Sequence, residues 1–259
     1  MKQAMVFAAG LGTRLRPLTD TMPKALVPVG GRTLLEHVVT RLDAAGYTRI
    51  VVNVHHFAEQ IVAYVDAHDR FGLDLRISDE QGQLLETGGG LRHAAPLFEA
   101  DTPVLVHNVD ILSDLDFALL ERAYAMKQAP DALLAVSRRR SSRHLVFDDE
   151  DRLCGWENTA TGETKGRVWT DAPLKAAFAG IHMMHPRLFP LMVSWPERFS
   201  IIDFYLHCSQ ERHIVGWHHP DLHLLDVGKI DALAEAENFI GGRRAAELRG
   251  ANSPLTANR

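Results

Sequence analysis

Cysteine is scarce in this chain, since only Cys154 and Cys208 occur among its 259 residues. Two cysteines do not make the disulfide framework of a small secreted domain. No signal-peptide pattern stands ahead of the first apolar run, which begins at Met5. We therefore expect a protein of the reducing cytoplasm.

Long apolar runs are also absent, because no stretch approaches the roughly 18 residues that a membrane helix requires. The chain has no excess of positive charge either, and its formal net charge is −5 at pH 7. The surface as a whole therefore does not attract nucleic acid or an anionic membrane, and we expect neither as a partner. A site for an anionic substrate must concentrate its positive charges locally.

Several familiar catalytic signatures are missing as well. The chain has no GxSxG nucleophile elbow, no HExxH zinc helix and no GxxxxGK[ST] phosphate loop. A dinucleotide fingerprint would need a third glycine at position 15, where the chain has Leu15. His218, His219 and His223 lie close together without a cysteine partner, so we predict no zinc site there.

What the chain does contain is a hydrophobic fraction of 46%, enough for one large domain or a domain with an attached lobe. Apolar runs predict strands at 5–9, 50–54, 73–77, 103–106 and 132–136, and helical spacing predicts helices at 34–42, 58–65 and 116–126. This alternation indicates a parallel sheet. From residue 137 short pieces at 145–147 and 153–156 predict an antiparallel lobe, before the run 176–184 rejoins the sheet.

The most informative stretch follows the first run, where Gly10, Gly12, Thr13 and Arg14 stand close together and Lys24 comes shortly after. The two glycines free the backbone, so that successive N–H groups can point at an anion. Thr13 adds a hydroxyl, while Arg14 and Lys24 add cations suited to phosphate oxygens. The pattern predicts a loop that holds a triphosphate, and its alternative is a plain strand-to-helix turn with exposed basic residues.

Two aspartates follow later apolar runs, Asp110 after residues 103–106 and Asp226 after residues 223–225. Ligands of an open α/β sheet bind beyond the carboxyl ends of the strands, so we expect both near the first loop. Mg²⁺ commonly takes one or two carboxylates together with phosphate oxygens. The two residues therefore make a candidate magnesium site.

The segments AAGLGTRLRPLT, at residues 8–19, and PKALVPVGG, at residues 23–31, resemble the signature of the sugar-1-phosphate nucleotidyltransferases. These enzymes join a nucleoside triphosphate to a sugar phosphate and release pyrophosphate. In weaker form the resemblance covers roughly residues 3–240. Within the family, the chain is most similar to the short bacterial N-acetylmuramate α-1-phosphate uridylyltransferases.

The resemblance implies a Rossmann-like, mostly parallel mixed sheet flanked by helices, with a small antiparallel sugar-binding lobe, the nucleotide-diphospho-sugar transferase fold. We expect one domain over residues 1–240, with its nucleotide-binding part at about 1–136 and its sugar-binding lobe at about 137–228. A loose tail is expected at 241–259. The implied substrates are a nucleoside triphosphate, first of all UTP, and a sugar 1-phosphate such as N-acetylmuramate 1-phosphate. The oligomeric state stays open.

Residue roles also follow from the resemblance. The expected catalytic residues are Arg14, Lys24 and Asp110, and the expected Mg²⁺ ligands are Asp110 and Asp226. The expected nucleotide-binding residues are Ala8, Ala9, Gly10, Gly12, Thr13, Arg14, Lys24, Gln81, Thr87, Gly88 and Asn108, with 87–90 as a turn that reads the base. The expected sugar-binding residues are Glu86, Arg143, Gly180 and Asp226, where Arg143 pairs with a lactyl carboxylate and Gly180 marks a close approach by ligand.

One departure from the family pattern lies beside the candidate metal ligand. Family members commonly have Asn-Gly-Asp where this chain has Asn108-Val109-Asp110, and valine removes the backbone freedom of glycine. Two alternatives therefore remain open. The substrates could be GTP, CTP or dTTP with a heptose, mannose or glucose 1-phosphate, or the chain could be a nucleotide-binding regulator without turnover.

Overall fold

The computed structural model describes residues 1–80, 82–167, 173–219 and 222–251, with side chains described up to residue 242 of the last helix. The strands are β1 (Lys2–Phe7), β2 (Pro28–Val29), β3 (Arg32–Thr33), β4 (Tyr47–Val54), β5 (Asp74–Asp79), β6 (Val104–Asn108), β7 (Ile111–Ser113), β8 (Ala132–Ser137), β9 (Arg143–Phe147), β10 (Leu153–Asn158), β11 (Glu163–Gly166), β12 (Leu174–Met184), β13 (Ile214–His218) and β14 (Leu224–Asp226). The helices are α1 (Leu34–Ala44), α2 (Ala58–Ala67), α3 (Glu86–Ala94), α4 (Phe117–Met126), α5 (Phe189–Met192), α6 (Ile201–Cys208) and α7 (Asp231–Ala251).

A mixed sheet forms the centre of the molecule, and its main path runs β11-β10-β9-β12-β6-β1-β4-β5. The strands β6, β1, β4 and β5 are parallel, as the alternation of strands and helices predicts. The strand β12 is antiparallel to β6, and β9, β10 and β11 continue from it as an antiparallel ladder. The parallel half and the expected antiparallel lobe therefore share one continuous sheet through the long strand β12.

Apolar side chains pack against both faces of the sheet, which explains why its central strands read as nearly uninterrupted apolar runs. Along β1 the faces alternate, so that Val6 belongs to one buried cluster and Met5 to the other. Helices α1 and α2 cover the first face with residues such as Leu35 and Ile61, and α3 and α6 cover the second with residues such as Leu91 and Phe204.

Local capping explains where the first helix begins. The Thr33 hydroxyl accepts a hydrogen bond of 3.1 Å from the Glu36 N–H, which satisfies one of the free donors of the first turn of α1. Asp116 caps α4 in the same way through the Ala118 N–H, at 2.8 Å. Both helices lie within a few residues of the positions that their sequence patterns predict.

A two-stranded ribbon stands apart from the main sheet. In it β7 pairs antiparallel with β14, with Asp226 opposite Ile111. Because β7 begins directly after Asp110, the ribbon brings two distant parts of the chain together at the edge where β6 ends.

The carboxyl-terminal segment is helical over the part of the expected tail, 241–259, that the structure describes. Helix α7 runs through Asp231–Ala251, so residues 241–251 continue a helix, while residues 252–259 lie outside the described residues. Its buried Ala236 and Ile240 join the same core as β1. Across the described ranges, no helix combines the length and apolar character needed to cross a bilayer.

Candidate active site

Two adjoining cavities open where the parallel strands end. The small cavity has a volume of about 350 Å³ and is lined by Phe7, Ala8, Ala9, Gly10, Lys24, Asn53, Glu80, Leu84, Glu86, Thr87, Asn108, Val109, Asp110 and Ser200. The large cavity has a volume of about 1020 Å³ and extends over the antiparallel lobe. Asn108, Asp110 and Ser200 line both, so the two cavities meet at these three residues.

The first loop leaves β1 at the small cavity. Gly12 has φ +63°, and a Cβ there would lie 2.9 Å from Thr19 and 3.0 Å from Lys24. Its carbonyl accepts hydrogen bonds of 2.8 Å from the Leu15 N–H and the Thr19 hydroxyl. The close approach and the positive φ explain why glycine is required at this position.

The predicted residues of this loop are divided between the two cavities. Ala8, Ala9 and Gly10 line the small cavity, whereas Arg14 lines the large one. Thr13 is exposed and lines neither. The loop therefore presents its backbone to the smaller space and its guanidinium to the larger.

Lys24 and Asp110 form an ion pair at the junction of the cavities, in which the Lys24 ammonium donates to Oδ2 of Asp110. Their side chains are 11% and 17% exposed. At this depth the pair is poorly screened by water, so losing one partner costs more than breaking a surface ion pair. The sequence predicts both residues in the site, and in the structure their side chains form an ion pair.

Asp226 lies beside Asp110, as the sequence predicts. The Val227 N–H donates to the Asp110 carbonyl at 2.8 Å, directly after the paired positions of β7 and β14. Both aspartates and Arg14 line the large cavity. The ribbon thus holds two carboxylates that lie far apart in sequence on one wall.

The space around Asp226 fits a bound cation. Its Oδ1 atom is buried and has no hydrogen-bond partner among the described residues. A Cβ on Gly228 would lie 2.6 Å from this oxygen and 2.6 Å from Nη2 of Arg14, so the glycine lets these two side chains approach the backbone closely. No group of three or more His, Cys, Asp or Glu side chains suited to a metal occurs in the described part of the chain. A metal ion held by Asp110 and Asp226 would take its other ligands from substrate or water.

The glycine triplet is a correction to the sequence analysis. Residues 87–90 lie inside helix α3 and do not form a turn. The N–H of Gly88 donates to the carbonyl of Phe199 at 2.9 Å, and a Cβ on Gly88 would overlap the Phe199 ring. A Cβ on Gly89 would collide with the carbonyl of Glu197. These two glycines therefore allow the segment 197–199 to pack on the helix, and the Gly88 N–H is already used.

Thr87 and Glu86 line the small cavity at the start of the same helix. The Thr87 hydroxyl accepts from the Ile201 N–H at 3.0 Å, which ties α3 to α6. Glu86 has φ +62°, an unusual conformation for a residue with a side chain, and its carboxylate accepts from Nε of Arg198 at 2.8 Å. Gln81, the other predicted base contact, lies outside the described residues.

Sequence analysis missed two buried polar residues of the small cavity, Asn53 and Glu80. Asn53 interrupts the apolar run of β4, and Glu80 follows β5 directly. Their side chains are 2% and 3% exposed, and Nδ2 of Asn53 donates to Oε1 of Glu80 at 2.7 Å. Burial raises the pKa of the Glu80 carboxyl. The hydrogen bonds from Asn53 and from the Leu85 N–H lower this pKa, but burial has the larger effect. Asn53 could be recognised in the sequence, because it is a polar residue within an otherwise apolar strand.

The large cavity has a cationic wall on the lobe. Arg143 is exposed and lines this cavity, together with Arg139, Arg140 and Lys165. Trp156 and Phe178 add aromatic surface. The cavity therefore combines positive charges with flat apolar faces, a combination that suits an anionic sugar.

Gly180 also lines the large cavity, but a protein side chain explains its glycine. It has φ +74° at an irregularity of β12, between Phe178 and His182, where the pairing with β8 shifts register. A Cβ there would lie 2.9 Å from Nδ2 of Asn108 and 3.0 Å from Ile111. The expected close approach at Gly180 is made by Asn108 of the neighbouring strand.

Val109, the departure noted in the sequence, fits the local structure. Its N–H donates to the Phe7 carbonyl at 3.1 Å, and its side chain is 3% exposed within the core cluster beside β1. The valine therefore occupies apolar space and leaves Asp110 paired with Lys24.

Comparisons with known proteins identify relatives of this chain. A family model described as nucleotidyl transferase matches residues 3–145. The N-acetylmuramate alpha-1-phosphate uridylyltransferase of Caulobacter vibrioides is 53% identical over 191 residues, which are 72% of this chain and 76% of that relative. The enzyme of the same name from Neisseria meningitidis serogroup B is 43% identical over 115 residues, 44% of this chain and 49% of its own length.

Solved structures show the same fold. A UDP-glucose pyrophosphorylase from Acinetobacter baumanii aligns with a TM-score of 0.76 at 18% identity, covering 98% of this chain and 100% of that one. The mixed sheet flanked by helices is thus the nucleotide-diphospho-sugar transferase fold. Because the family model covers more than half of the chain and a relative is 53% identical to it, the chain belongs to the nucleotidyl transferase family.

Proposed function

We propose that the chain transfers a uridylyl group from UTP to N-acetylmuramate 1-phosphate, giving a nucleotide sugar and pyrophosphate. The observation that carries the proposal is that Asp110, with Lys24 paired to it, stands where the small and large cavities meet. Two substrates that fill these cavities would bring their phosphates together at that point. The relatives named N-acetylmuramate alpha-1-phosphate uridylyltransferase supply the substrate pair.

The small cavity suits a nucleotide. Its lining is more apolar than that of its neighbour, and Gly10 lets the backbone after β1 face the ligand without a side chain in the way. We assign the base and ribose to this cavity and the triphosphate to the loop that follows β1. Lys24 then lies beside the phosphates, and Arg14 reaches them from the large cavity.

The large cavity suits the sugar phosphate. Its arginines give it the local positive charge that the net charge of −5 does not provide. We assign the lactyl carboxylate of N-acetylmuramate to Arg143, which can bind a carboxylate through two parallel N–H groups. Glu86, the other sugar contact expected from the resemblance, lines the small cavity and not the large one.

Asp110 and Asp226 would hold Mg²⁺, which neutralises phosphate charge when it is bound. The unpartnered Oδ1 of Asp226 supports this assignment. Asp110 must exchange its contact with Lys24 in order to serve as a ligand, which frees the ammonium to follow the phosphates.

The reaction is a single displacement. A phosphate oxygen of the sugar 1-phosphate forms a bond to the α-phosphorus of UTP, and the bond from that phosphorus to the bridging oxygen breaks as pyrophosphate leaves. The attacking phosphate is already ionised at neutral pH, so no general base is required. The protein aligns the two reactants, and Lys24 and Arg14 stabilise the negative charge on the transferring group.

The test is to combine the purified protein and Mg²⁺ with each of UTP, GTP, CTP and dTTP and with several sugar 1-phosphates. Release of pyrophosphate is measured for every pair. Turnover fastest with UTP and N-acetylmuramate 1-phosphate is expected, and a clear preference for another pair would replace the assigned substrates. UTP binding in calorimetry without turnover for any pair would identify a regulator instead of an enzyme. The cytoplasmic location stays a prediction from the sequence.

A further inference from the structure

Glu80 is a buried carboxylate that the proposed reaction does not use. It stands just after β5 with 3% of its surface exposed, on the wall of the small cavity. Removing a carboxylate from water is costly unless hydrogen bonds replace the lost solvation. Its partners therefore indicate what its burial achieves.

Both carboxylate oxygens accept from protein donors on different segments. Oε1 accepts from Nδ2 of Asn53 at 2.7 Å, and Oε2 accepts from the Leu85 N–H at 3.1 Å. Asn53 in turn accepts the Ala8 N–H on its own Oδ1 at 2.7 Å. A continuous chain of hydrogen bonds thus runs from the end of β1, through β4, to the residue before α3.

The helix opposite leaves room for this carboxylate. A Cβ on Gly90 would lie 2.5 Å from Oε1 of Glu80 and 3.2 Å from Nδ2 of Asn53. Gly90 is buried in the interior of α3, where alanine would otherwise be the better helix former. The third glycine of the triplet therefore serves the Glu80 network, unlike the two that accommodate the segment 197–199.

The anchored segments are walls of the same small cavity. Ala8 continues into Ala9 and Gly10 on one wall, and Leu85 is flanked by Leu84 and Glu86 on another. We propose that Glu80 is a positioning residue for the nucleotide, because it fixes the spacing between the loop after β1 and the start of α3. The inference rests on the proposed function in that it takes the ligand of this cavity to be the nucleoside triphosphate.

The decisive variant is Glu80→Gln, which keeps the shape of the side chain and replaces one acceptor oxygen by a donor. Either the Asn53 amide or the Leu85 N–H then faces an NH₂ group and loses its acceptor. We expect KM for UTP to rise at least about tenfold, while kcat stays within about threefold and KM for the sugar phosphate within about twofold. Loss of a residue that only stabilised the fold would not raise KM for UTP while leaving kcat and KM for the sugar phosphate nearly unchanged.

Gly90→Ala is the second variant, because it retains the carboxylate and pushes against it. Gly241→Ala is its matched control, since Gly241 is also helical but has no atom within 4 Å of its Cβ position. We expect Gly90→Ala to raise KM for UTP at least about fivefold and Gly241→Ala to leave it unchanged. If Glu80→Gln does not fold, Gly90→Ala decides the question.

Two failures are distinguishable. No turnover by the wild-type protein with any substrate pair would reject the proposed function. Normal wild-type turnover, with KM for UTP unchanged in a folded Glu80→Gln or Gly90→Ala protein, would overturn the positioning role alone. A lowered melting temperature with an unchanged KM counts as the same negative result.

Discussion

Replacing Lys24 by methionine should convert the ion pair at the cavity junction into a site that binds Mg²⁺ in the absence of nucleotide. The substitution keeps the length of the side chain, which packs against Gly12, and removes only the ammonium. Asp110 then has no cation beside it, and Asp226 contributes an oxygen that is already without a partner. Two adjacent carboxylates attract a divalent cation more strongly than a carboxylate neutralised by lysine.

The magnitude follows from burial. Exposed ion pairs contribute about 0–1 kcal/mol, but the side chains of this pair are only 11% and 17% exposed. Breaking it should lower the free energy of unfolding by about 2–4 kcal/mol without metal, near the range for buried pairs. Mg²⁺ at ten times its dissociation constant should return about 1.4 kcal/mol to the variant.

The assay is urea unfolding of wild type and Lys24→Met, with EDTA and with increasing Mg²⁺. The matched control is Lys2→Met, because Lys2 pairs with Glu121 at 2.7 Å on the surface, with 44% and 24% of the two side chains exposed. We expect Mg²⁺ to raise the free energy of unfolding of Lys24→Met more than that of wild type. The difference in this free energy between Lys2→Met and wild type should not change with Mg²⁺. Equal effects of Mg²⁺ on all three proteins would refute competition between Lys24 and the cation for Asp110.

Three further outcomes are expected. Asp226→Asn should lower turnover at least about a hundredfold, the scale of one lost electrostatic stabiliser, with little loss of stability because Oδ1 has no partner to lose; near-normal turnover would contradict its role. Arg143→Gln should raise KM for N-acetylmuramate 1-phosphate at least about tenfold but leave KM for glucose 1-phosphate unchanged, with exposed Arg138→Gln as control, and equal shifts would remove Arg143 from carboxylate binding. Burial lowers the pKa of His182 to about 3, so its contribution to stability is complete above its unfolded pKa of about 6.5 and is lost as the pH falls towards 3. His182→Leu should therefore reduce the difference in free energy of unfolding between pH 7 and pH 5 by about 2 kcal/mol. An unchanged difference in urea titrations would refute this.

The parts of the fold that the sequence predicts well are those in which local pattern and final environment agree. Residues 34–42 have helical spacing after a capping threonine, and α1 begins at Leu34 with that cap in place. The parallel strands read as apolar runs because both faces are covered. Asp110 lies at the edge where β6 ends, as the rule that strand ends face the ligand predicts. Asp226 reaches the same edge through the ribbon that β14 forms with β7.

The glycine triplet shows where such reasoning fails. Three consecutive glycines suggest a flexible turn, because glycine weakens isolated helices by about 1 kcal/mol per residue. The segment 197–199 and Glu80 occupy the space that larger side chains would need, and these neighbours lie elsewhere in the sequence. Tertiary contacts therefore outweigh local preference in this helix.

The ribbon of β7 and β14 has a consequence for how the enzyme matures. Asp110 directly precedes β7, before the lobe, and Asp226 ends β14, after the lobe. A growing polypeptide therefore contains the loop after β1 long before the second aspartate exists. Closing this large loop is an entropic cost that the remainder of the sheet must already offset. A chain truncated before β14 lacks Asp226 and therefore half of the aspartate pair.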